Sequence, residues 1–242
     1  PTTYSTNDIT DPAFFAGTYN SLLSALTTNN PAAKGVLINI PNVSSIPYFT
    51  TVPYNAIELA DDATTTAVQK QDALNAAYAS YNGALQAYIG TLLTAEQAVA
   101  RTITFSAGTA NPLVIIDETL VDLTSQNAAL VSMRPATATD LIVLSALTKI
   151  KTAGGGSSAP LGDADVLIPS EITAINTARI AYNVTIKAAA DADPNLALYD
   201  ASAFMTELKA NGISFGTGDI TSTYATGGGF SLDGVHPTAR GY

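Results

Sequence analysis

The chain has 242 residues, 47% of them hydrophobic, and carries a formal charge of -10 from 20 acids and 10 bases, enough length for one large domain or two small ones. That acid excess argues against nucleic acid, which is bound through clustered Lys and Arg, and equally against an anionic membrane surface. The absence of cysteine removes disulfides, thiolate metal sites and cysteine nucleophiles, and a single histidine, His236, leaves one candidate for imidazole chemistry and no two-histidine metal site.

No run of about 18 apolar residues is present, so no transmembrane helix is expected, and the polar stretch Pro1 to Asp11 lacks the charged and apolar regions of a signal peptide. Thr10, Asp11 and Pro12 read as a helix start, with a capping side chain followed by Pro in the first turn. Phe14, Phe15, Tyr19, Leu22, Leu23 and Leu26 follow at helical spacing, and Asn29 to Pro31 stops the helix. The β-branched run Gly35 to Ile40 predicts a strand buried on both faces, as in a parallel α/β sheet. Pro41 to Pro53 is too rich in proline for regular structure and leaves the carboxyl end of that strand, where open α/β sheets place their ligands.

From Thr65 to Arg101 the pattern is a long helix or a helical hairpin turning near Gly90 to Thr94. Leu74, Tyr78, Tyr81, Leu85, Tyr88 and Leu92 form its apolar seam, either ordinary core or a surface that meets a ligand or partner. Thr102 to Phe105 and Leu113 to Ile116 read as strands. Asp117 and Glu118 follow as a candidate metal or acid/base pair, or as acids placed by a helix dipole. Leu141 to Leu147 fits a buried strand or a buried helix, and Lys151 to Pro160, with three consecutive glycines, reads as a flexible connection. Ser170 opens a helix that ends before Pro194, Leu196 to Asp200 is a strand, and Ala203 to Lys209 is a helix closed by Asn211-Gly212.

Two serine and histidine patterns remain. Gly212-Ile-Ser-Phe-Gly216 fits G-x-S-x-G, but that elbow needs a strand before the serine and a helix after it, and neither is predicted around Ser214. Ser231-Leu-Asp-Gly-Val-His-Pro-Thr-Ala-Arg-Gly-Tyr242 is more specific. A three-residue offset in a short turn lets a carboxylate hold an imidazole's tautomer and stabilise the imidazolium formed when the ring takes a serine proton. The alternative is an exposed histidine on an acidic loop.

This terminal block closely resembles the last block of the SGNH (GDSL-type) hydrolases, a family of esterases and acylhydrolases. Lys34 to Pro41 and Ile46 to Pro53 are similar to the strand and substrate-side loop that follow the family's oxyanion block. The resemblance implies that His236 is the general base and Asp233 its orienter, with no metal or organic cofactor. It implies a three-layer αβα domain with a parallel, flavodoxin-like sheet, spanning residues 1–242 as a partial SGNH-type domain with a helical insertion at 56–136. The substrate implied is a carboxylic ester of a lipid or an acylated sugar, in a secreted or bacterial envelope location, with a lipid anchor as one option.

The G-D-S nucleophile block and the G-x-N-D oxyanion block are absent, and Asn7-Asp8 lacks the glycine lead-in and the strand before it. The expectation is therefore that the chain is the carboxyl-terminal part of a longer hydrolase, with its nucleophilic serine in a missing amino-terminal segment, and that it is inactive alone. The insertion is expected to lean over or beside the active-site face. The competing reading is a non-catalytic surface or interaction subunit that keeps the fold and binds a protein partner through the Tyr-rich insertion.

Overall fold

A computed structural model describes residues 9–152, 154–216 and 218–241. Asn7, Asp8 and Tyr242, which enter the sequence reading, lie outside the described residues. The described chain is mixed α/β and divides into two compact units, Phe49–Pro169 and a second built from residues 9–48 and 170–241. In chain order its helices are α1 (Pro12–Thr27), α2 (Pro47–Thr50), α3 (Ala67–Gln86), α4 (Ala95–Arg101), α5 (Ala146–Thr152), α6 (Pro169–Ala192) and α7 (Ala201–Ala210). Its strands are β1 (Gly35–Ile38), β2 (Ile57–Glu58), β3 (Ala110–Asn111), β4 (Val114–Ile116), β5 (Met133–Pro135), β6 (Leu141–Ile142), β7 (Val166–Leu167), β8 (Leu196–Tyr199), β9 (Ile213–Phe215) and β10 (Gly218–Ile220). No helix among the described residues is long and apolar enough to cross a membrane.

In the second unit α1 begins where its cap dictates. Asp11 Oδ1 accepts from the amides of Ala13 (2.9 Å) and Phe14 (3.0 Å), and Pro12 fills a first-turn position where no N–H is needed. β1 and β8 pair in parallel, from Gly35 opposite Leu196 to Ile38 opposite Tyr199. The expectation that β1 is buried on both faces differs from the structure, where Val36 is 64% and Ile38 59% exposed. Each strand has one hydrogen-bonded neighbour, and within their own unit no described element covers the face that carries Val36, Ile38 and Tyr199.

Two amide side chains fix the strand ends. Asn183 of α6 clamps both the N–H and the C=O of Ile40, each at 2.8 Å. Asn39 donates to Asp200 (2.8 Å) and accepts from the Ser202 amide (2.9 Å), tying the end of β1 to the start of α7. After α7 the chain reverses at Gly212, whose φ of 70° favours glycine, and enters the β9–β10 hairpin. Leu208, Ile220 and Phe230 form a small core there, packed by Ile46, Met205 and Ile213.

In the unit Phe49–Pro169, α3 and α4 each open with a capping box, Thr66 with Gln69 and Thr94 with Gln97. The helical hairpin is therefore the arrangement adopted, with its turn at Gly90, where φ is 82°. The stretch 102–105 is not a strand. Its main chain bonds to amide side chains of α3 instead: Asn82 takes Ile103 N–H and C=O (2.9 and 2.7 Å), and Asn75 takes those of Phe105 (2.8 and 3.0 Å). Extended backbone is thus satisfied without a sheet partner. Tyr78 and Tyr81 are core, with their hydroxyls donating to the carbonyls of Ser157 and Met133, while Tyr88 is half-buried.

Residues 154–160, expected to be a flexible connection, are packed. The Val114 amide donates to Gly156 C=O at 2.7 Å, and Gly156, at φ 77°, sits where a Cβ would lie 2.2 Å from Leu113 Cδ2. The glycines serve close approach rather than mobility. The run 141–147 resolves into β6 followed by the start of α5.

Candidate active site

The residues of the terminal block are held by a loop zipped at its base. Ser231 N–H donates to His236 C=O at 2.8 Å, and Phe230 bridges Pro237 in antiparallel fashion. Phe230 is itself in the small core, so the loop springs from packed structure. Gly234 takes φ 72°, and its C=O accepts from the Tyr48 amide at 3.0 Å, tethering the loop to the segment that leaves β1.

Within this loop the structure brings Asp233 and His236 together. Asp233 Oδ2 lies 2.6 Å from His236 Nδ1. The other oxygen, Oδ1, accepts from Ser231 Oγ (2.6 Å), the Val235 amide (2.8 Å) and the His236 amide (3.0 Å). Those bonds, Ser231's foremost and the imidazole's next, hold the Asp233 carboxyl well below the usual carboxylate range. An ionised carboxylate only accepts, so the Nδ1 contact places the ring proton on Nδ1 and leaves the lone pair of the neutral ring on Nε2. Nε2 has no hydrogen-bond partner among the described residues, and the imidazole side chain is 74% exposed. The arrangement is thus an oriented base with an open face, able to take a proton from a group brought to Nε2.

Ser231 was not singled out by the sequence reading. Its signal is its position two residues before an aspartate in a turn, where hydroxyl and carboxylate commonly bond locally.

The other candidates resolve differently. Ser214 sits within β9, paired antiparallel with β10, and its hydroxyl donates to Asp219 Oδ1 at 2.6 Å, so the strand-to-helix elbow is not formed. Asp117 lies at no helix start. Its Oδ1 bonds the amide and hydroxyl of Thr119, and its Oδ2 pairs with Arg134 Nε at 2.6 Å. Burial acts to raise the Asp117 carboxyl, but the Thr119 hydroxyl and the Arg134 guanidinium outweigh it and hold it low.

No family model, curated protein or solved structure matches this chain.

Proposed function

We propose that this chain is part of a serine esterase of SGNH type, in which His236 is the general base and Asp233 orients it. The observation that carries the reading is the 2.6 Å contact between Asp233 Oδ2 and His236 Nδ1 with Nε2 left open. In this reaction a serine hydroxyl attacks the ester carbonyl while Nε2 takes its proton, and the same nitrogen returns the proton to the departing alkoxide. Asp233 keeps the productive tautomer throughout and stabilises the imidazolium. Neither step needs a metal or an organic cofactor, and the substrate class is a carboxylic ester of a lipid or acylated sugar. The nucleophile and its oxyanion donors come from sequence outside these 242 residues, in a three-layer αβα domain. The bare apolar face of the β1–β8 pair supports that part, because parallel strands are ordinarily covered on both faces.

The test is hydrolysis of a short-chain nitrophenyl ester, with fluorophosphonate labelling, on the full-length protein and on the 242-residue chain. Full-length protein should turn over and label at a serine outside this chain, and Asp233→Asn should lower its kcat by on the order of 10⁴-fold. The 242-residue chain should do neither, lacking the covalent route and the oxyanion hole. Labelling at Ser214 with turnover overturns the assignment. Full-length protein that neither labels nor hydrolyses leaves the non-catalytic interaction subunit as the better reading.

A further inference from the structure

The unit that carries Asp233 and His236 also contains a pocket of about 280 Å³. Its two main walls are Ile40 and Val43 from the segment leaving β1, and Ile175, Ala178, Arg179 and Tyr182 from α6, with Ile9 and Thr10 completing the lining. The Asn183 clamp on Ile40 fixes these two walls against each other, at the carboxyl end of β1. Carboxyl ends of parallel strands are where open α/β sheets bind ligands.

Arg179 is the one charged residue in a mostly apolar lining whose other polar groups belong to Thr10 and Tyr182, and its bonding is incomplete. Nε donates to Asn176 Oδ1 at 3.3 Å and Nη1 to Ser202 Oγ at 3.2 Å, both long and both to neutral groups. Nη2 has no acceptor, and the guanidinium has no carboxylate partner, among the described residues. The chain's other two partly or fully buried arginines behave differently. Arg134 is paired with Asp117 and Asp140, and each of the three guanidinium nitrogens of Arg101 donates once, to the Tyr81 hydroxyl and to the carbonyls of Val121 and Val131. In a chain with twice as many acids as bases, a half-buried cation left without an acid has capacity for an anion from outside. Its free N–H groups, the second on Nη1 and both on Nη2, form the end-on fork that fits a carboxylate's two oxygens.

We propose that this pocket binds a medium-chain fatty acid as its carboxylate, with Arg179 holding the two oxygens end-on and the alkyl chain lying against Ile40, Val43, Ile175 and Tyr182. The pocket, of about 280 Å³, has room for an alkyl chain of several carbons beside the guanidinium, as in hexanoate or octanoate. The inference concerns binding alone and stands whether or not His236 serves a hydrolase.

Isothermal titration calorimetry of the 242-residue chain with sodium octanoate, 1-octanol and octylamine tests it. Octanoate should bind with one site per chain and at least tenfold more tightly than the alcohol or the amine. Arg179→Met should weaken octanoate at least tenfold while leaving octanol unchanged, Arg179→Lys should keep part of the preference, and Ile175→Trp should abolish both by filling the pocket. Should Arg179→Met fail to fold, octanoate labelled with ¹³C at the carboxyl reports on the unaltered chain, where binding must shift its titration to lower pH. Octanol binding as tightly as octanoate, folded Arg179→Met with undiminished octanoate affinity, an unshifted carboxyl titration, or no heat with octanoate overturns the proposal.

Discussion

Asp233 spends one oxygen on its own loop and the other on the imidazole, and this division makes the carboxylate a positioning device. The three donors on Oδ1 fix the carboxylate plane so that Oδ2 meets Nδ1 without a search through rotamers. Because His236 is the sole histidine, its ring ¹⁵N shifts can be read without ambiguity. At pH near 8 the unaltered chain should show the proton on Nδ1, the minor tautomer of a free neutral imidazole. Asp233→Asn should return the ring to the Nε2–H form, and Ser231→Ala should give a mixture, with Ser231→Thr restoring the original pattern. A ring in the Nε2–H form in the unaltered chain would refute the orientation. The direction of the Asp233 shift adds a pH dependence: with its carboxyl held below the ordinary value of about 4, the Nδ1 contact should persist as pH falls through 4 and disappear only well below it.

Between elements, the β4–β5 pair is held by charge as well as by its ladder. Arg134 on β5 reaches Asp117 just after β4 and takes both oxygens of Asp140, at 2.7 Å each, and all three side chains are largely buried. Removing the cation strands two buried carboxylates, so Arg134→Met should cost about 3 to 5 kcal/mol in urea unfolding. The depressed Asp117 carboxyl gives the sign of the acid response: its contribution is complete above about pH 4, the unfolded value, and is lost as pH falls through the lower folded value. Stability of the unaltered chain should therefore drop below pH 4 more steeply than that of Asp117→Asn, and equal slopes would refute the linkage. Little of this cluster was legible in the sequence, because its partners are 17 and 6 residues from Arg134 and no local period connects them. What was legible was local: the Asp11 cap, the α3–α4 stripe, the apolar runs of β1 and β8, and the D-x-x-H-P turn. Extended backbone at 102–105 misled because strand propensity reports a pleated, half-buried environment, which here is supplied by the amides of Asn75 and Asn82 rather than by a neighbouring strand. The glycines at 154–156 misled because composition cannot distinguish mobility from close approach.

Burial is unevenly divided along the chain. The largest fully buried side chains, Arg101, Leu85, Ile103, Leu113, Ile115 and Leu161 among them, all lie in Phe49–Pro169, while the unit with the candidate site rests on a two-stranded parallel pair and a small cluster around Phe230. Two strands with one bare face are marginal in water, since no third strand shares their ladder. Local opening follows local burial, so hydrogen exchange should separate the units. In the 242-residue chain the Asn39 amide, donated to Tyr199 at the end of the parallel pair, should exchange at least tenfold faster than the amides of Val114, Ile116 and Leu161, which are donated inside the well-buried unit. If the proposed hydrolase reading is right, strands carried by the full-length protein cover the face of Val36 and Ile38, and the Asn39 amide should slow toward the rate of the other three. Val36→Asp separates the possibilities further. On a bare face the change is nearly neutral in the 242-residue chain, because a 64% exposed valine gives up little burial, whereas in a covered sheet it buries an unpaired carboxylate and should destabilise the full-length protein by several kcal/mol. Equal exchange rates in the 242-residue chain would show that the parallel pair is as stable as the buried unit. Full-length protein carrying Val36→Asp that melts like its parent would show that nothing packs on that face, and the nucleophile would then have to reach His236 by another route.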